Sequence, residues 1–222
     1  MKLSLISAVS IVCVVVGLTA STTPANAGVT FMTFLSSGDL AAVGPWWTIN
    51  AFDYTGNGFV GSIGTNRLYS TNLTGGNIKL YGQPIPGLSG GEVSVGVGLG
   101  RAGFGKGVVY VDHPKAGQIY RVPSVGPPVL FGTTPQNPSK IFFDPGSTFG
   151  GDMLVMTAFG KLYKFTSSGT STLLANVGED TEGMAIAGSA FGPYAGDFAG
   201  GVGNQRRDPG DFATRRDHAP ED

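Results

Sequence analysis

The feature that most constrains this chain is a pattern that returns every 44 to 50 residues. A short apolar run leads through a Gly- and Pro-rich turn to a glycine and a second apolar run. It occurs at Ile49-Asn50-Ala51-Phe52-Asp53 leading to Gly58-Phe59-Val60. It returns at Val93-Ser94-Val95 leading to Gly107-Val108-Val109-Tyr110-Val111, and at Ile141-Phe142-Phe143-Asp144 leading to Gly151-Asp152-Met153-Leu154-Val155. A fourth copy runs from Met184-Ala185-Ile186 to Gly196-Asp197-Phe198. The marker glycines 58, 107, 151 and 196 are 49, 44 and 45 residues apart. A later marker agrees, with Tyr69, Tyr120 and Tyr163 at spacings of 51 and 43. A third run closes each unit at residues 77–81, 128–131 and 170–175.

Each unit thus holds four short runs separated by turn residues such as Thr74-Gly75-Gly76 and Ser167-Ser168-Gly169. Alternation in Gln118-Ile119-Tyr120-Arg121-Val122 suits a half-buried antiparallel strand. No segment after residue 27 carries a sustained 3.6-residue apolar period, so almost no helix is expected. Four strands per unit with a period in the forties predicts an all-β, propeller-like fold of about four blades. Three are complete. The fourth begins at residues 182–187 and 196–199, and the run from Val29 to Leu35 is expected to supply its outer strand. One strand is still lacking, so the chain reads either as a small, imperfectly closed ring or as a truncated larger one, prone to self-association through open edges. The composition follows: 37 of 222 residues are glycine, as frequent tight turns require.

Residues 1–27 read as a secretory signal peptide. Lys2 precedes an uncharged stretch to Ala20, and Ala25-Asn26-Ala27 offers a small-x-small cleavage site. Ser4, Ser7, Ser10, Gly17 and Thr19 dilute the stretch too far for a membrane anchor. The mature product is expected to begin at Gly28, to be secreted or periplasmic and to lack an integral membrane segment. It would also lack cysteine, because Cys13 is the only one. Residues 28–200 form the repeat body. Residues 201–222 carry 9 charges in 22 positions and one large apolar residue, Phe212, and are expected to be a disordered tail. The net charge of −1 argues against a nucleic-acid partner.

The body resembles NHL-repeat and senescence-marker/gluconolactonase-like propellers. In those families a blade reads as an inner strand ending near Asp, then Gly-x-[LI]-Tyr-Val, then Gly-x-Ile-x-Arg-Val. Residues Ile141 to Asp144, Gly107 to Asp112 and Gln118 to Val122 follow that rhythm. The resemblance covers about residues 46–200. It implies a divalent cation, such as calcium, in a central channel, polarising a lactone carbonyl and activating water. The candidate ligands are Glu92, Glu182, Asn137 and Asp144, with Glu182-Gly183 matching the family's Glu-Gly dipeptide.

Other motifs are read as turns. Gly98-Leu99-Gly100-Arg101-Ala102-Gly103 fits a dinucleotide fingerprint, but a strand follows where a helix is needed. Gly87-Leu88-Ser89-Gly90-Gly91 fits a nucleophile elbow, but the only body histidine is His113, expected in a solvated turn beside Pro114. Asp53-Tyr54-Thr55-Gly56-Asn57-Gly58 has alternating oxygen side chains, but Gly64 replaces the bidentate acid of a calcium loop. Trp46 and Trp47 are a candidate binding platform for a small-molecule or protein ligand. With ionisable groups sparse, the sequence favours a non-enzymatic binding scaffold. A metal-dependent lactone hydrolase and a truncated propeller without activity are the alternatives.

Overall fold

The computed structural model describes residues 12–13, 32–44, 51–62, 65–89, 93–146, 148–179 and 181–202. A two-residue ladder joins β1 (Val12–Cys13) and β2 (Met32–Thr33). A short helix, α1 (Ser37–Leu40), and a 3-10 turn (Ala41–Val43) follow. Three four-stranded antiparallel meanders come next. Blade 1 is β3 (Ala51–Tyr54), β4 (Gly58–Ser62), β5 (Leu68–Asn72) and β6 (Lys79–Tyr81). Blade 2 is β7 (Val95–Val97), β8 (Val109–His113), β9 (Gln118–Val122) and β10 (Val129–Thr133). Blade 3 is β11 (Pro138–Phe143), β12 (Met153–Thr157), β13 (Lys161–Phe165) and β14 (Ser171–Asn176). A two-stranded fourth sheet pairs β15 (Thr181–Ile186) with β16 (Phe198–Val202). The expected propeller-like architecture of three complete blades and one incomplete blade is therefore present. Residues 201–202, assigned from the sequence to the tail, close β16.

The first strands β3, β7, β11 and β15 lie beside one another in chain order, as the inner strands of successive blades do. Burial follows from this stacking. Strands β8 and β12, covered on both faces, are buried throughout, whereas the outer strands β6, β10 and β14 are largely exposed. The cores lie between blades. Val60 and Leu68 of blade 1 pack on Val95, Val109, Val111 and Tyr120 of blade 2. Tyr110 and Ile119 pack on Ile141, Met153 and Tyr163 of blade 3. Leu154, Met156 and Leu162 pack on Met184, Ile186 and Phe198. The repeated tyrosines occupy equivalent registers, opposite Gly61, Val111 and Val155, and all three are buried.

Close inter-blade approach explains one of the strand glycines. A Cβ on Gly96 of β7 would stand 2.4 Å from Cγ2 of Ile141 on β11, so only hydrogen fits there. Polar bonds lock the same junctions. The Asp53 carboxylate accepts the Val97 N–H at 2.7 Å, joining blades 1 and 2. The Ser94 hydroxyl oxygen accepts the Ile141 N–H at 2.9 Å, joining blades 2 and 3. Ser94→Ala should leave that buried N–H unpaired and lower stability by about 1–3 kcal/mol. Urea unfolding at neutral pH measures this, and an unchanged midpoint would contradict the lock.

The N-terminal segment differs from expectation. Met32–Thr33 pairs with Val12–Cys13, not with β15 or β16. It nevertheless packs where a blade preceding blade 1 would lie. Phe34, Leu35, Leu40 and Val43 cover Tyr69, Phe52 and Ile78. The correspondence extends to the backbone. The turn glycines 75 and 169 hold equivalent places in blades 1 and 3. A Cβ on Gly75 would meet the Phe34 carbonyl oxygen at 2.3 Å, and one on Gly169 would meet that of Phe131, in the outer strand of blade 2, at 2.1 Å. Phe34 thus stands to blade 1 as Phe131 stands to blade 3. The helix itself was not expected. Its start is a capping box in which Ser36 and Asp39 bond each other's backbone N–H groups, an S-x-x-D signal present in the sequence.

Candidate functional site

Each blade is a meander whose inner strands share one direction, so the connections β3–β4, β7–β8, β11–β12 and β15–β16 emerge at one end. They touch one another there. A Cβ on Gly107 would stand 3.0 Å from the Thr55 carbonyl oxygen, and one on Gly151 3.1 Å from the Arg101 Cβ. The Arg101 guanidinium donates to the Pro145 carbonyl. A Cβ on Gly196 would lie 3.5 Å from the Thr148 hydroxyl oxygen. Four connections from four sheets therefore form a continuous surface, and it is apolar at its tips. Of twelve exposed large hydrophobic residues among those described, six lie in or beside the connections at this end: Tyr54, Leu73, Leu99, Val125, Phe191 and Tyr194. Two, Phe159 and Val177, lie at the opposite end, and the rest are on outer strands. The β15–β16 connection carries the largest tip, with Phe191 65% exposed. No charge occurs from Met184 to Gly196.

Of the four candidate cation ligands, the two with described side chains, Asn137 and Asp144, are not brought together. Asn137 and Asp144 stand at opposite ends of β11, which at about 3.3 Å per residue separates them by roughly 20 Å. One cation with ligands about 2.4 Å away cannot reach both. Asp144 is fully buried, and its two oxygens accept the N–H groups of Gly146 and Phe149 at 2.9 and 2.5 Å, an internal turn bond. Asn137 is exposed. Glu182 lies on β15, with its side chain outside the described residues, as are Glu92, Trp46 and Trp47. Among the described residues no group of three or more His, Cys, Asp or Glu could hold a metal ion. Asp53, first residue of the calcium-like loop, uses both oxygens on backbone, accepting from Tyr54 and Val97 at 2.7 Å each. Burial holds its carboxyl above the usual range, opposed by those two bonds.

His113 departs from the sequence reading. It ends β8 and is buried, not solvated in a turn. Gly87, which opens the G-x-S-x-G string, lies against its Nε2, while its Nδ1 has no hydrogen-bond partner. A triad base needs that nitrogen held by a carboxylate or amide, so the arrangement lacks the orienting half of a serine hydrolase site. Residues 98–108 form a glycine-rich connection followed by strand β8, as expected for a turn and not a dinucleotide loop.

A polar centre that the sequence reading missed lies near the other end of the inner strands. Asp112 is 1% exposed and faces blade 3. Its Oδ1 accepts the Ser94 N–H at 2.6 Å, and its Oδ2 has no partner. Burial pushes the carboxyl up to about 8, against the Ser94 bond and the charge of Lys140. The available signal was a serine just before β7 opposite an aspartate on β8 of the same blade, visible only once the register is known.

Fold and surface together define a propeller-like protein whose one end is built from adjoining connections. No family model matches the sequence, and no curated protein matches it. Among solved structures it is similar to the computationally designed Ika8 protein, with TM-score 0.49, 11% identity, and coverage of 72% of this chain and 44% of that one. It is also similar to YCF48 bound to D1 peptide, with TM-score 0.49, 15% identity and coverage of 76% and 54%. Sqt1 of Saccharomyces cerevisiae gives TM-score 0.47, 11% identity and coverage of 76% and 46%. The chain spans about half the length of these structures.

Proposed function

We propose that this protein is a non-enzymatic binding scaffold acting outside the cytoplasm, with its ligand face at the end formed by the inner connections. One observation carries the reading: four connections from four sheets adjoin, and their end holds six of the twelve exposed large hydrophobic residues. Exposed apolar side chains concentrated at one end of a fold, rather than scattered singly over it, mark an interaction face. The leader-like segment 1–27 supports the location. Cleavage after Ala27 would remove β1 and leave Met32–Thr33 without its ladder partner, while the packing of Phe34 and Leu35 on blade 1 would persist.

The test is binding of the fluorescently labelled full chain to peptide and glycan arrays. Binding should survive Phe159→Ser, at the opposite end, and be lost in Phe191→Ser/Tyr194→Ser. Equal loss in both variants would remove the assignment of the face. Calcium- or zinc-dependent hydrolysis of a sugar lactone, abolished by Glu182→Ala, would replace the scaffold reading with that of a metal-dependent hydrolase.

A further inference from the structure

We propose that the end formed by the inner connections docks onto an anionic lipid surface. Phe191, Tyr194, Leu99 and Tyr54 would enter the interface, with Arg101 and Lys106 against the headgroups. This deepens the scaffold reading above and rests on it.

The charge distribution points to this partner. The seven described connections at this end are residues 55–57, 73–78, 98–108, 123–128, 144–152, 166–170 and 187–197. They contain five charged residues: Arg101, Lys106, Asp144, Asp152 and Asp197. Each of the three acids is withdrawn from the surface. Asp144 is buried in its turn. Asp152 is mostly buried and pairs with Lys164 at 3.5 Å. Asp197 is half-buried, with Oδ2 enclosed. Arg101 and Lys106 are exposed, and at the same end of the adjoining strands Lys79 and Arg121 add two more exposed cations, while Asp53 of β3 is partly buried with both oxygens on backbone N–H groups. Among the described residues, the exposed charges at this end are therefore all cations, although the whole chain carries −1.

The shape of the apolar tips favours lipid over a protein. They stand on or beside five separate connections, several flanked by Gly or Pro, as in Val125-Gly126-Pro127 and Phe191-Gly192-Pro193-Tyr194. A protein interface of ordinary affinity gathers such residues into one well-packed, desolvated centre. A lipid interface accepts separated tips one by one, because each aromatic ring gains from burial at headgroup depth regardless of its neighbours. Phe191, 65% exposed, and Tyr194, 50% exposed, are aromatic side chains of the kind that gain there. Exposed cations add roughly 1 kcal/mol each at a negatively charged leaflet.

Co-sedimentation of the full chain with phosphatidylglycerol–phosphatidylcholine vesicles tests this, with pure phosphatidylcholine vesicles alongside. The chain should partition onto the anionic vesicles about tenfold or more above the neutral ones. Phe191→Ser/Tyr194→Ser should reduce that partition by about tenfold, while Phe159→Ser leaves it unchanged. Lys106→Gln should lower the anionic preference with Tm unchanged. Equal partition onto both vesicles, or binding indifferent to Phe191→Ser/Tyr194→Ser, overturns the proposal. Array binding lost in that double variant, with no vesicle binding, overturns the lipid partner and leaves the scaffold reading standing. Vesicle binding that tracks these residues, with silent arrays, supports both.

Discussion

Asp112→Asn should stabilise the protein at alkaline pH and flatten its stability profile. The Asp112 carboxyl sits at the junction of blades 2 and 3, 1% exposed, with one oxygen unpartnered. Burial raises it from 3.8 to about 8, so between those limits the folded chain holds a proton that the unfolded chain has released. The folded state binds more protons over that window, and stability therefore falls as pH rises through it. Below about 4 both states are protonated and the contribution is fully present. Above about 8 the folded chain carries a buried carboxylate. At about 1.4 kcal/mol per pH unit the loss amounts to several kcal/mol. An asparagine can still accept the Ser94 N–H with its amide oxygen and cannot ionise. The variant should match the wild type near pH 4 and exceed its stability by several kcal/mol near pH 9. Urea unfolding across that range measures it. A wild-type slope retained in the variant would place the titration elsewhere.

Gly169→Ala should be among the most damaging single-methyl additions in the body. Gly169 turns β13 into β14 with φ of +85°, and its missing Cβ would lie 2.1 Å from the Phe131 carbonyl oxygen of blade 2. Two penalties combine. An L-residue in the left-handed region costs about 1 kcal/mol. The oxygen belongs to the bulged residue of β10, and a 2.1 Å contact with it must be relieved by moving the turn or the bulge, which adds roughly 1–3 kcal/mol. Gly178, with φ of +76° and nothing within 4 Å of its Cβ position, separates the two effects. Gly178→Ala should cost about 1 kcal/mol and shift Tm by only a few degrees. Gly169→Ala should lower Tm by on the order of 10 °C. If calorimetry gives equal shifts for the two, the inter-blade approach at Phe131 carries no energy.

The two experiments probe different junction devices. At Asp112 a polar group is buried to hold backbone, at a cost set by proton equilibrium. At Gly169 the absence of a side chain lets one blade's turn lie against the carbonyl of the blade before it. The same device recurs at Gly75 against Phe34. The N-terminal segment therefore covers the face of blade 1 that would otherwise be open, using the contact blades use on each other.

The sequence by itself determined the order and type of the strands in the three complete blades and in the β15–β16 pair, but not the N-terminal ladder or α1. Alternation and glycine spacing are local properties, and each four-run unit between turns has one compact solution, an antiparallel meander. Trp46, Trp47, Glu92 and the side chain of Glu182 lie outside the described residues. Tertiary structure alone decided what the conspicuous side chains do. Asp144 and Asn137 looked like two ligands of one site, yet β11 runs between them. His113 looked like a turn residue, yet β8 extends through it into the core. The adjoining end of the connections draws on residues more than a hundred positions apart, from Tyr54 to Tyr194. No local pattern joins them. They meet because the inner strands share a direction, and shared direction is a consequence of blades packing face to face.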